Sequence, residues 1–185
     1  MNRVLIGCLA ALLALLAPLA ATAQQAAAPA EKNPVSNALR ATLERQSKNI
    51  IAAAEEMPAD KYPYRPTPAQ MSFADLVGHV TASNNFLCAK IAGMPASGEE
   101  KPSPDASKEK LISGLKASFD FCTTALAKMD DSNLGEQLTV FGGRKVSRGG
   151  AMIMLASGYA DHYGMAAMYL RLNGLLPPTA KPKKE

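Results

Sequence analysis

The sequence predicts an all-α protein, a four-helix bundle with a short β-hairpin before its last helix. Three observations carry this. Apolar residues recur at steps of three and four in four separate stretches, the signature of helices that bury one face. Serine caps and proline or glycine stops punctuate those stretches where helices begin and end. Alternation of the strand type is confined to one short segment around Gly142-Gly143. Nine methionines suit a helical core filled by adaptable, unbranched side chains.

The chain opens with Arg3 and an apolar run from Val4 to Leu16, and Ala21-Thr22-Ala23 offers a small-x-small cleavage site. Residues 1–23 are therefore expected to be a secretory signal, with the mature chain starting at Gln24 in the periplasm or outside the cell. Cys8 lies too close to the start to be a lipoprotein cysteine. An uncleaved membrane anchor is the alternative, but the apolar run is shorter than the roughly 20 residues that span a bilayer comfortably, and no stable membrane span is expected after cleavage. Residues 24–33, rich in Ala, Pro and Gln, read as a flexible linker. The bundle is expected over residues 34–178, followed by a basic tail at 179–185 that holds Lys181, Lys183 and Lys184 and should be solvated and frayed.

Within the bundle, Leu39, Leu43, Gln46, Ile50, Ala53 and Met57 mark a first helix from about Val35 that Pro58 stops. Residues 58–70 carry four prolines and read as an extended, partly polyproline connection across one end of the bundle. Ser72, with Asp75 three residues on, forms a capping-box variant that opens the second helix. Its seam is Phe73, Val77, Val80, Asn84, Leu87 and Ile91, with His79 at the edge. Residues 93–107 are a Pro/Gly/Ser-rich loop long enough for a crossover, which leaves the topology open. Leu111, Leu115, Phe119, Cys122, Leu126 and Met129 mark the third helix. Residues 138–146 read as two short strands about Gly142-Gly143; a phosphate cradle there lacks the surrounding G-x-x-x-x-G-K-S/T pattern. Ser147 should cap the last helix, whose seam runs Leu155, Tyr159, His162, Ala166, Tyr169 and Asn173. Gly174 and then Pro177-Pro178 end it.

The chain has 185 residues and a net charge of +4, a mild excess of lysine and arginine. Nothing interleaves the basic tail with aromatic stacking residues, so a nucleic-acid role is not expected. After the signal two cysteines remain, Cys88 and Cys122. Two buried thiols would satisfy the apolar seams, but the oxidising compartment favours a disulfide between the second and third helices. No C-x-x-C spacing is present to make a redox catalyst. Ser83, His162 and Asp161 make no credible triad, because adjacent residues on a helix point about 100° apart.

The run Asp161-His162-Tyr163-Gly164 into Tyr169-Leu170-Arg171-Leu172-Asn173-Gly174-Leu175-Leu176-Pro177-Pro178 resembles the DinB/YfiT-like family of four-helix metal-binding proteins. Met57-Pro58, Lys61 to Thr67 and Gly78-His79 belong to the same resemblance, which covers most of the mature chain. It implies a divalent metal, zinc or nickel, held by one histidine on the second helix and an H-x-x-x-H pair on the last. His79 and His162 match two of those positions. Gly158 stands at the third and cannot ligate, so the implied site is degenerate and weakly binding. Read from the residues alone, His162 is a hydrogen-bonded core histidine and His79 a capping or surface residue. Asp75 and Tyr159 lie near enough in sequence to be weighed as further donors, but a helix cap and core packing are their simpler roles.

Two functions follow. One is an exported DinB-like metalloprotein, a metal-dependent transferase or hydrolase as the relatives imply, acting on a small molecule or thiol. The other is a non-enzymatic envelope bundle, binding or stress-associated, that has lost the metal. The reaction, and whether the protein is a homodimer, stay open.

Overall fold

The computed structural model describes residues 30–96 and 102–182. The expected signal at 1–23, the first part of the linker, residues 97–101 of the long loop and Lys183 to Glu185 lie outside them. The fold is that of the unit beginning at Lys32. It contains α1 (Pro34–Glu56), α2 (Phe73–Ala92), α3 (Lys108–Leu126), a hairpin of β1 (Gln137–Thr139) and β2 (Lys145–Ser147), and α4 (Arg148–Leu172). The expected four-helix bundle with a hairpin before the last helix is what forms.

Side-chain pairs set the helix directions. On α2 and α3, Asn84 donates to Ser118 and Cys88 reaches Cys122; both pairs are separated by 34 residues, and a constant offset means parallel helices. Between α1 and α3, Glu55 pairs with Lys116 while Arg40 donates to the Leu126 and Met129 carbonyls, so these two are antiparallel. Between α2 and α4, Phe73 meets Tyr169 and His79 meets His162, again antiparallel. The order is therefore up, down, down, up. Parallel α2 and α3 require residues 93–107 to travel back along a helix of 20 residues, about 30 Å at 1.5 Å per residue. The loop is the crossover its length permits.

Local chemistry fixes the ends. Ser72 Oγ accepts from the Asp75 amide, and the Asp75 carboxylate accepts from the Ser72 amide at 3.0 Å, a reciprocal capping box. Arg65 holds that carboxylate from outside at 2.8 Å. Ser107 and Ser147 cap α3 and α4 by accepting from the amides three residues on. The α1 start has Pro34 and no side-chain cap of its own. Asp131, far along the chain, accepts from the Val35 and Ser36 amides at 2.9 Å and takes that role.

Three expectations need correction. The connection after α1 is not wholly extended, for Ala59–Lys61, between Pro58 and Pro63, forms a 3₁₀ turn. Tyr62 follows it, buried, with its hydroxyl donating to the Ala54 carbonyl at 2.8 Å and its ring edge-on to Phe73. Met129 lies beyond α3, which ends at Leu126, and is only half-buried. The first residues of the tail are not frayed: Pro178–Ala180 form a 3₁₀ turn. Thr179 and Tyr163 pair their hydroxyls at 2.8 Å, and Lys181 pairs with Glu56 of α1.

The hairpin places Leu138 opposite Val146. Its turn runs through Gly142 and Gly143 with φ of 66° and 75°, a backbone that side-chain-bearing residues rarely adopt. Phe141, just before them, is thrown onto α2 and stacks on Phe86 with ring centroids 4.4 Å apart.

Candidate functional site

The antiparallel faces of α2 and α4 diverge enough to leave a cleft. Helical spacing brings His79, Val80, Ser83, Asn84 and Leu87 to one wall and Met154, Leu155, Gly158, Tyr159 and His162 to the other. Phe141 closes it from the hairpin. The cavity is about 240 Å³ and its surface is mostly apolar.

The two histidines meet here. Their ring centroids are 4.9 Å apart and the planes lie at 78°, an edge-to-face contact. His79, at the edge of its helix's seam, is exposed, whereas His162, read from the sequence as a core histidine, is only half-buried. Burial lowers the His162 pKa below its ordinary 6.5, the neighbouring His79 lowers it further, and Asp161 partly opposes them. His162 is therefore held as a neutral imidazole at physiological pH.

Gly158, one turn before His162, leaves space beside it: a Cβ there would meet the imidazole Cε1 at 3.7 Å, ordinary contact. The wider donor set is otherwise engaged. Asp75 is held by the capping box and Arg65. Tyr159 is buried, which raises its pKa, and its protonated hydroxyl donates to Cys122 Sγ at 3.7 Å. Among the described residues no group of three His, Cys, Asp or Glu side chains converges. A catalytic zinc centre takes three protein ligands and a structural one four. The residues present supply two imidazoles and do not fit a resident three-ligand metal centre.

Behind the cleft, Cys88 and Cys122 sit at disulfide distance with Cα atoms 5.2 Å apart, both fully buried. Beside them is a group that sequence reasoning placed only on a seam. Asn84 is 0% exposed. Ser118 donates its hydroxyl proton to the Leu115 carbonyl at 2.7 Å, so its oxygen must accept from Asn84 Nδ2 at 3.0 Å. That orients the amide and leaves Asn84 Oδ1 without a partner. The signal was available, since a polar residue on an otherwise apolar seam needs a partner. Phe141 was also missed as a wall of the site; an aromatic beside Gly142-Gly143 was its only trace.

The profile of the DinB superfamily matches residues 42–166, which hold both histidines, the cleft and most of the bundle. The chain belongs to the DinB superfamily. Among solved structures, a DinB-like protein from Bacillus subtilis aligns at 22% identity with a TM-score of 0.62, over 80% of this chain and 100% of its own. A DinB-like protein from Bacillus cereus aligns at 16% identity with a TM-score of 0.65, over 77% and 95% of the two chains. A mycothiol-dependent maleylpyruvate isomerase aligns at 12% identity with a TM-score of 0.57, over 70% of this chain and 59% of its own. Likeness at these identities is likeness of fold. Among curated proteins no sequence matches. Within the DinB fold, the cleft between α2 and α4 is this chain's one site where the histidines, a cavity and an unpaired buried acceptor coincide among the described residues.

Proposed function

We propose that this DinB-superfamily member is an exported binding bundle whose cleft between α2 and α4 takes a small molecule, its histidine pair being the remnant of a divalent-metal site. The observation that carries this is Gly158: the cleft persists as an apolar cavity while the third ligand position holds no side chain. Mostly apolar pockets with a few placed polar groups are the usual form of small-molecule sites. Export rests on the charged start, the apolar run and the Ala-x-Ala site of residues 1–23. The Cys88 and Cys122 pair supports it, because such bonds persist in oxidising compartments.

A second reading, weak binding of zinc or nickel by His79 and His162, is favoured by the geometry of the pair. Two imidazoles on one tetrahedral zinc, with Zn–N of about 2.0–2.1 Å, place their ring centroids about 5 Å apart, close to the 4.9 Å observed. Zinc and nickel titration of wild type, Gly158→His and His162→Ala separates the readings. Weak or absent binding is expected for wild type and none for His162→Ala. Gly158→His should gain affinity by well over tenfold, since it adds an imidazole one helical turn from His162. Tight binding by wild type would overturn the remnant reading. No gain from Gly158→His would show that the two helices no longer hold the geometry of a metal site.

A further inference from the structure

The cavity has a chemistry more specific than its volume. Its walls carry no carboxylate, ammonium or guanidinium among the described lining residues, so apart from the two imidazoles nothing there favours a charged ligand. Aromatic surface comes from three sides, with Phe141 at the hairpin, Tyr159 on the inner wall and His162 toward the mouth. Against this apolar background stands Asn84, a lining residue whose amide is oriented by Ser118 so that its nitrogen is used and its oxygen is not. Tyr159 cannot reach back to fill that need, because its hydroxyl already donates to Cys122 Sγ. A buried polar atom without a partner is destabilising. Asn85 Oδ1 and Nδ2 and Arg148 Nε are in the same state, but of these residues only Asn84 lines the cavity, where a ligand can supply the missing proton.

The geometry points to a neutral, monocyclic hydroxylated ligand of the phenol class, its ring between Tyr159, His162 and Phe141 and its hydroxyl donating to Asn84 Oδ1. The size agrees. A cavity of about 150 Å³ lined by apolar side chains accepts benzene, and this one, at about 240 Å³, has room for a substituted single ring. The inference rests on the cleft being a small-molecule site, and adds which molecule and which atom selects it. It does not involve the metal.

Calorimetric or NMR titration of the mature protein with p-cresol, toluene and benzoate tests it. Toluene has the ring and methyl group of p-cresol without the hydroxyl; benzoate carries a charge. p-Cresol should bind, toluene about tenfold more weakly because it leaves the amide oxygen dry, and benzoate more weakly still. In Asn84→Leu the preference for p-cresol over toluene should vanish or invert, which loss of packing alone would not produce. Gly158→Phe fills the cavity while keeping the Asn84 side chain and should abolish binding of both, so the proposal remains testable if Asn84→Leu fails to fold. Equal affinity for p-cresol and toluene in wild type would overturn the assignment of Asn84 while leaving a small-molecule cleft. Binding of none of the three would overturn the phenol proposal, and the metal titration would still judge the remnant site separately.

Discussion

His162 ties the site to the stability of the fold. Burial and the adjacent His79 favour its neutral form, against the pull of Asp161. The unfolded chain takes up that proton near 6.5 and the folded chain only at lower pH, so between the two values the unfolded state binds more protons. Stability then rises with pH across that window. The contribution is fully present above 6.5 and is lost as pH falls through the lowered folded value. Urea unfolding at pH 7.5 and pH 5 should show a lower midpoint at pH 5, and His162→Gln should reduce the difference. A fall of equal size in both proteins would assign it to other groups. Gly158 shows how much of the site was legible residue by residue: its identity alone removed a ligand, whereas the unpaired oxygen of Asn84 depended on a hydroxyl from another helix and could not be read from one seam.

Helix boundaries are decided by a few capping atoms, and α2 is the clearest instance. Its first turn has Ser72 and Asp75 satisfying each other's backbone donors, with Ser72 buried among the residues that lead into Phe73. Ser72→Ala removes the acceptor for the Asp75 amide and a hydroxyl donor to the carboxylate. The expected loss is about 1 kcal/mol of unfolding free energy, measured by urea denaturation; no loss would mean that Arg65 and water replace the cap. This motif was readable because it lies within four consecutive residues. The four helices and the hairpin were readable for the same reason, each being written as a local period with local punctuation. The cap on α1 was not, since Asp131 reaches Val35 and Ser36 from 95 residues away or more. Nor was the docking of Thr179 on Tyr163, which joins a segment of lysines and prolines to a helix its composition says nothing about.

At the scale of the molecule, the unsettled matter was direction, and the cysteines resolve it. A seam tells which face of a helix is buried but not which neighbour covers it, so α2 and α3 could have been a short antiparallel pair or a crossover pair. The constant 34-residue offset makes them parallel, with the long loop running from the end of α2 back to the start of α3 and with Cys88 and Cys122 near the C-terminal ends of both. A bond between them closes a loop containing the last turn of α2, the whole crossover and most of α3. Closing a loop of this length restricts the unfolded chain by about 3–4 kcal/mol. Cys88→Ala with Cys122→Ala should therefore lower the unfolding free energy by about that amount, with a further loss if the two buried sites leave a void. Such a bond bears on where the protein resides. Unreduced protein recovered from its own compartment should have the intact mass of a chain starting at Gln24 less two hydrogens. Two thiols that alkylate only after unfolding would show the cysteines buried but unbonded, leaving the parallel packing intact and removing the support they lend to export. A bonded pair on a chain still carrying Met1 would keep the fold and refute the cleavage, because loop closure depends on the helices alone while processing depends on residues 1–23.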